Sequence, residues 1–386
     1  MNNKQNIGLF GFGNVGSGLF HVLEKGKTVN AEIVKICIRK PEKQRSIDNT
    51  YFTTNADDIL LDPNINLVVE LIDDAEAAYT IVKKALQAGK NVVSGNKRML
   101  AYHLEEFVAL QRKHKVALLY EASACGSIPI IRSLEEYYDN DLLKSVTGIL
   151  NGSSNYILTK LFEDNLDYQT ALKQAQDLGF AESNPKFDVE GYDTLYKIVI
   201  LSLHSIGKYV HPDNIFHYGI STIMPVDIAF AKEKRYKIKL IGQIIKSTDN
   251  SFTLFVIPAF VNKDSYIYNV ENEYNGVVID GECYEKQFMF GKGAGSYPTG
   301  SAVLSDITAC MHNYRYEYKK LNFFQSAYYT DDILINIYLR YKSSSELSLF
   351  QFSRIYERFS GRNTNYVIGD ISLKQLKSLQ DILPNL

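Results

Sequence analysis

The chain has 386 residues, 45% hydrophobic and 22% charged, with 42 Lys and Arg against 44 Asp and Glu for a formal charge of −2. At roughly 100 to 200 residues per domain this length predicts two or three domains with cores of their own, which excludes a disulfide-stapled miniprotein, a fibre and a disordered chain. The near balance of charge gives no electrostatic reason to expect nucleic acid or an anionic membrane as partner, so a small-molecule ligand is the starting expectation.

Cys37, Cys125, Cys283 and Cys310 stand far apart, with no CxxC or Cys/His spacing. That usage fits reduced cytosolic thiols and argues against a disulfide framework or structural zinc. The opening residues lack the order of a signal peptide, and no apolar run approaches the roughly 18 residues that span a bilayer. The expected location is the cytoplasm.

In chain order, Ile7 to Phe10 predicts a buried strand, Val15 to Lys25 an amphipathic helix and Glu32 to Ile38 a second strand. Strand Asn66 to Ile72, helix Ala75 to Ala88, strand Asn91 to Ser94, helix Arg98 to Lys113 and strand Val116 to Glu121 continue the alternation. This order implies an α/β fold with a parallel, doubly wound sheet covered by helices on both faces. Between the first strand and helix lies GFGNVG, with Gly11, Gly13 and Gly16 at GxGxxG spacing around Asn14 and Val15. One glycine permits the tight turn, the next lets a pyrophosphate approach the backbone, and the third lets helix and strand pack closely. A nicotinamide dinucleotide is therefore expected there. Where an NAD-preferring site carries Asp or Glu after the second strand, this chain reads Arg39-Lys40-Pro41-Glu42-Lys43-Gln44-Arg45. Cations at that place suit the 2′-phosphate of NADP, with NAD as the alternative; the bland reading is a solvated basic loop.

Pro129 opens a predicted helix that runs to Tyr138, and Val146 to Leu150 predicts a strand. Asn151 to Tyr156, NGSSNY, either presents amides and hydroxyls to a small polar ligand or caps the next helix. Gly191 to Ser205 has helical length with an apolar second half, and Asp193 and Lys197 lie four residues apart on one face. On a polar helix they would form a surface ion pair of little consequence; beside a buried run they suit a site where Lys donates a proton and Asp orients it.

Six segments in order resemble the homoserine dehydrogenase family: GFGNVG, SGNKRMLA at Ser94 to Ala101, YEASACGSIPII at Tyr120 to Ile131, GILNGSSNYIL at Gly148 to Leu158, LGFAESNPKFDVEGYDTLYK at Leu178 to Lys197, and GKGAGSYPTGSAVLSD at Gly291 to Asp306. The resemblance implies reversible NAD(P)-linked interconversion of L-aspartate 4-semialdehyde and L-homoserine, a step towards threonine and methionine. It implies that Lys197 is the proton donor, that Asp193 and Glu182 bind substrate, and that Lys97 lies near the nicotinamide and the reacting carbon. It sets Gly179, Gly293 and Gly295 against the cofactor. It also implies a monovalent cation, such as sodium, on backbone carbonyls of Glu121, Ala124, Gly126 and Ile128, although Cys125 or Ser127 replaces the family's usual glycine. Cys125 reads as a packing residue.

The family pattern further implies a homodimer and three regions. Residues 1–140, completed by 291–310, would bind the dinucleotide; 141–290 would form an α+β catalytic and dimerisation domain, with strand-like runs Phe252 to Ile257 and Val277 to Ile279. No aspartate kinase region is expected ahead of them. Residues 311–386 match least well. Strand Ile333 to Tyr341, helix Leu347 to Phe359, strand Asn365 to Ile368 and helix Leu373 to Ile382 loosely resemble a shortened ACT domain, read as a structural or dimerising appendage, with amino-acid feedback as the alternative. Rival readings are an acylating aldehyde dehydrogenase, which needs an activated thiol, and a non-catalytic dinucleotide sensor.

Overall fold

The computed structural model describes residues 4–45, 47–247, 249–323, 325–361 and 364–383. They divide into two compact units. The first comprises the described residues up to Asp141 with Val199–Tyr209 and Met289–Phe323; the second comprises Leu142–Ile198, Val210–Phe288 and the described residues from 325 onwards.

The first unit is built on six parallel strands, β1 (Gln5–Phe10), β2 (Ala31–Cys37), β3 (Phe52–Thr53), β4 (Leu67–Glu70), β5 (Asn91–Ser94) and β6 (Leu118–Leu119), in the order β3-β2-β1-β4-β5-β6. Ile7, Leu9, Leu67, Val68, Val69, Val92 and Val93 are fully buried, as expected for strands covered on both faces. Helices Asn14–Lys25, Ala75–Gln87 and Lys97–His114 make the crossovers. Strand order reverses between β1 and β4, the switch point where a doubly wound sheet accepts a ligand. The sixth strand is shorter than its apolar run predicts, because Glu121–Ser123 turn into a 3₁₀ helix. The helix expected from Ile130 to Tyr138 is a short α turn, Ile130–Arg132, that passes into a π-helical segment, Ser133–Tyr137.

A second sheet has seven strands, β7 (Leu143–Ile149), β8 (Phe216–His217), β9 (Tyr236–Lys246), β10 (Ser251–Asn262), β11 (Tyr274–Gly281), β12 (Glu285–Lys292) and β13 (Tyr328–Tyr329). Its order is β12-β11-β7-β9-β10-β13, with β8 paired to β10. Gly148 of β7 lies opposite Gly242 of β9. A Cβ on Gly242 would fall 2.6 Å from Ile198 and 2.9 Å from Thr194, so only a glycine there lets helix Tyr192–Ser205 rest on the sheet.

Three further strands, β14 (Leu334–Tyr341), β15 (Arg354–Ser360) and β16 (Asn365–Ser372), form an antiparallel sheet in the order β14-β16-β15. The helix expected from Leu347 to Phe359 is not formed: a single turn, Ser344–Leu347, leads into β15. Ile355, Tyr356 and Phe359 are about half exposed, so they do not make the inward stripe that a helix would need; instead Ile355 and Phe359 pair with Gly369 and Tyr366 of β16, and Tyr356 falls at the register shift after Ile355. The last helix covers Leu373–Ser378. Phe350, Ile371, Leu373 and Leu376 pack with Phe216 and Phe255 in one apolar cluster. Among the described residues no helix is long and apolar enough to cross a membrane.

Candidate active site

At the switch point each glycine of GFGNVG has a distinct mechanical task. Gly11 has φ of +94°, and a Cβ on it would lie 2.6 Å from Leu71 O. A Cβ on Gly16 would lie 2.3 Å from Gly11 O, which fixes how closely helix and turn pack. A Cβ on Gly13 would meet nothing within 4 Å, so this glycine faces open space, where an anion can reach the backbone. Helix Asn14–Lys25 begins there with no capping side chain and no acid in its first turn. Its first amides, at Asn14, Val15 and Gly16, have no carbonyl four residues back within the helix and point a partial positive charge outward. These residues fit a dinucleotide's pyrophosphate.

The same corner holds a buried polar ring. Glu70, at the end of β4, accepts from Ile72 N at 2.7 Å and from the Ser94 hydroxyl at 2.6 Å. Ser94 Oγ accepts from Asn96 N at 3.1 Å; Asn96 donates to Ile72 O and caps Met99 N, both at 2.9 Å. Burial pushes the Glu70 carboxyl up to about 7. The ring fixes the start of helix Lys97–His114, so Lys97 is the first helical residue, half-buried, and Ile72 also lies against Gly11.

Arg39 and Lys40 stand exposed just beyond β2. Arg45 instead folds its own loop, bonding to Lys40 O at 2.8 Å and stacking 5.0 Å from the Phe52 ring centre. In the segment from Glu121 to Ile128, the Glu121 carboxyl accepts from Ile131 N at 2.8 Å and Arg132 N at 2.9 Å. Fully buried Asp306 accepts from Glu121 N at 2.8 Å and from the Arg132 guanidinium at 2.7 Å. Gly126, with φ of +56°, packs on the GKGAG turn: a Cβ there would lie 2.6 Å from Gly293, and Ser127 N donates to Lys292 O at 3.0 Å. Gly295, at φ of +126°, starts helix Ser296–Met311. Ala124 and Ile128 are buried; Glu121 O and Ile128 O each already accept one backbone amide, from Ala124 and Ile130. Among the described residues no group of three or more His, Cys, Asp and Glu could hold a metal ion, so a cation here would rest on carbonyls.

In the second unit, Lys197 and Asp193 are 6% and 2% exposed and form an ion pair at 2.8 Å. The ammonium also donates to Leu150 O at 2.5 Å, and Leu150 O accepts a further bond from Asn275 at 3.0 Å. Asn151 donates to Asp193 at 2.9 Å and to Asp188 at 2.7 Å. Glu182 is exposed on the segment after helix Tyr168–Asp177, where Gly179 turns the chain at φ of +75°. The fold thus joins Asp193 to Lys197, as their spacing predicts, and adds Asn151, Asp188 and Asn275, which sequence reasoning left out of the site. For Asn151 the NGSSNY turn was the available signal and for Asp188 the family-like segment Leu178 to Lys197; Asn275 had none.

Residues 11–121 match the model of the homoserine dehydrogenase NAD-binding domain, and residues 129–308 match that of the homoserine dehydrogenase domain. The chain is 39% identical over 313 residues to a homoserine dehydrogenase of Lactococcus lactis, covering 78% of this chain and 73% of that one. It is 34% identical over 374 residues to one of Bacillus subtilis, covering 93% and 86%. The crystal structure of a homoserine dehydrogenase from Thiobacillus denitrificans superposes with a TM-score of 0.85 at 28% identity, covering 100% of this chain and 95% of that one. The chain belongs to the homoserine dehydrogenase family. Homoserine dehydrogenase activity interconverts L-homoserine and L-aspartate 4-semialdehyde with a nicotinamide dinucleotide as hydride carrier, and the Rossmann-type sheet is its nucleotide fold. The acylating-dehydrogenase and sensor readings are not favoured; Cys125 is fully buried.

Proposed function

We propose that Lys197 is the proton donor of this homoserine dehydrogenase, oriented by Asp193, and that Asp193 and Glu182 hold the substrate. The buried ion pair carries the reading. An ammonium has three donors; Asp193 and Leu150 O hold two of them, leaving one for the oxygen that gains negative charge during reduction. Bound NADPH supplies the hydride. In the reverse direction the same group, once neutral, accepts the hydroxyl proton of homoserine.

The cofactor is held by the turn of Gly11, Gly13, Asn14, Val15 and Gly16, with Gly179, Gly293 and Gly295 against it and Lys97 near the nicotinamide. Arg39 and Lys40, exposed after β2, meet the 2′-phosphate and favour NADP over NAD. A monovalent cation such as sodium rests on the carbonyls of Glu121, Ala124, Gly126 and Ile128, whose second lone pairs remain available. Nucleotide binding belongs to 1–140 completed by 291–310, catalysis and homodimer formation to 141–290. Cys37, Cys125, Cys283 and Cys310 form no disulfide among the described residues, which suits a reducing cytoplasm.

The test is Lys197→Ala. Turnover should fall by about 10²- to 10⁴-fold while the NADPH dissociation constant stays near that of the parent. Near-normal turnover refutes the assignment. Arg39→Ala should in turn narrow the ratio of kcat/KM for NADPH over NADH, and an unchanged ratio removes Arg39 from cofactor choice.

A further inference from the structure

Asn151 is 5% exposed and its amide has one consistent orientation. The oxygen accepts from Ser154 N at 2.7 Å and so caps helix Gly152–Glu163. The nitrogen spends its two hydrogens on two different carboxylates, Asp188 Oδ1 at 2.7 Å and Asp193 Oδ2 at 2.9 Å. That Asp193 oxygen is the one that Lys197 also binds, and the residue before Asn151, Leu150, holds the ammonium through its carbonyl. A flipped amide would put oxygen against two carboxylates and nitrogen against an N–H, so the orientation follows from chemistry.

We infer that Asn151 is a positioning residue for the reaction: its amide nitrogen fixes the Asp193 carboxylate, and thereby the Lys197 ammonium, at the angle that proton transfer requires. The inference rests on Lys197 being the proton donor. A neutral double donor between Asp188 and Asp193 holds both carboxylates without the repulsion that a cation at the same place would exert on the ammonium. The cap ties that arrangement to the start of a helix, so both halves of one amide serve one geometry.

Three substitutions separate the cap from the donor. Asn151→Ala removes both. Asn151→Ser keeps a cap acceptor and loses the amide donor, and Asn151→Asp keeps the acceptor and nearly the volume. Thermal stability should fall in the Ala variant, fall at least as far in the Asp variant, which sets a third carboxylate against Asp188 and Asp193, and be largely recovered in the Ser variant. Turnover, by contrast, should stay about 10- to 100-fold below the parent in all three, with KM for NADPH unchanged. If kcat recovers together with stability in Asn151→Ser, the residue is a cap alone and the inference is overturned. Lys197→Ala measured alongside tells the two readings apart: an impaired Lys197→Ala with a normal Asn151→Ser overturns only the role of Asn151, whereas near-normal turnover in Lys197→Ala removes the donor assignment and this inference with it.

Discussion

Two buried lysines of the second unit show why Lys197 is suited to chemistry. Lys239 is 1% exposed, and its ammonium gives its three donors to Val270 O at 2.6 Å, Asn155 at 3.2 Å and Glu271 at 3.0 Å. That cation is saturated and structural. Lys197, with two donors placed, is not. In the first unit Glu70 supplies a test of the buried ring beside the GFGNVG turn. Its carboxyl is fully buried and pushed from 4.5 to about 7, so between those values the folded chain keeps a proton that the unfolded chain has released. The stabilising contribution is complete below the ordinary carboxylate pKa and is lost as pH rises through about 7. Its size is of order 3 kcal/mol at 1.4 kcal/mol per pH unit. Glu70→Gln should flatten the decline in melting temperature between pH 5 and pH 8; a variant with the parent's slope would show that Glu70 does not set it.

At the level of elements, helix Tyr192–Ser205 depends on a flat seat. Gly242→Ala would drive a methyl into Ile198 and Thr194, the neighbours in sequence of Lys197 and Asp193. It should lower stability by about 1 to 3 kcal/mol and reduce kcat as well, read from thermal unfolding and steady-state rates. A stable variant with full turnover would show that the helix tolerates displacement. This helix was legible beforehand because its apolar run and its i, i+4 charged pair are local signals. The strand and helix alternation of the first unit was legible for the same reason. The partnership of Asn151 with Asp188 and Asp193 joins residues 37 and 42 positions apart, and no local period encodes it. The region around Leu347 to Phe359 misled because exposed Ile355, Tyr356 and Phe359 imitate an apolar helix stripe at short range.

Across the whole chain, the matched family models end at residue 308, while the described residues beyond 324 pack with the second unit. Arg340 of β14 is a principal tie. It donates to Asp227 at 2.7 Å and to Thr222 O at 2.8 Å, and Asp227 also caps Met224 N at the start of helix Pro225–Glu233. If residues 311–386 are a structural appendage, Arg340→Ala should lower stability by about 2 kcal/mol with kcat changed little. A large loss of turnover at unchanged stability would point to control of catalysis from this region.

The placement of the Lys197 ammonium is tested most directly by a crystal structure of the protein with L-homoserine and NADP⁺ bound. Lys197 Nζ should lie within about 3 Å of the homoserine hydroxyl oxygen, with the Asp193 carboxylate still holding the ammonium. A substrate hydroxyl bound to some other residue, with Lys197 Nζ more than about 5 Å away and no intervening water, would contradict it.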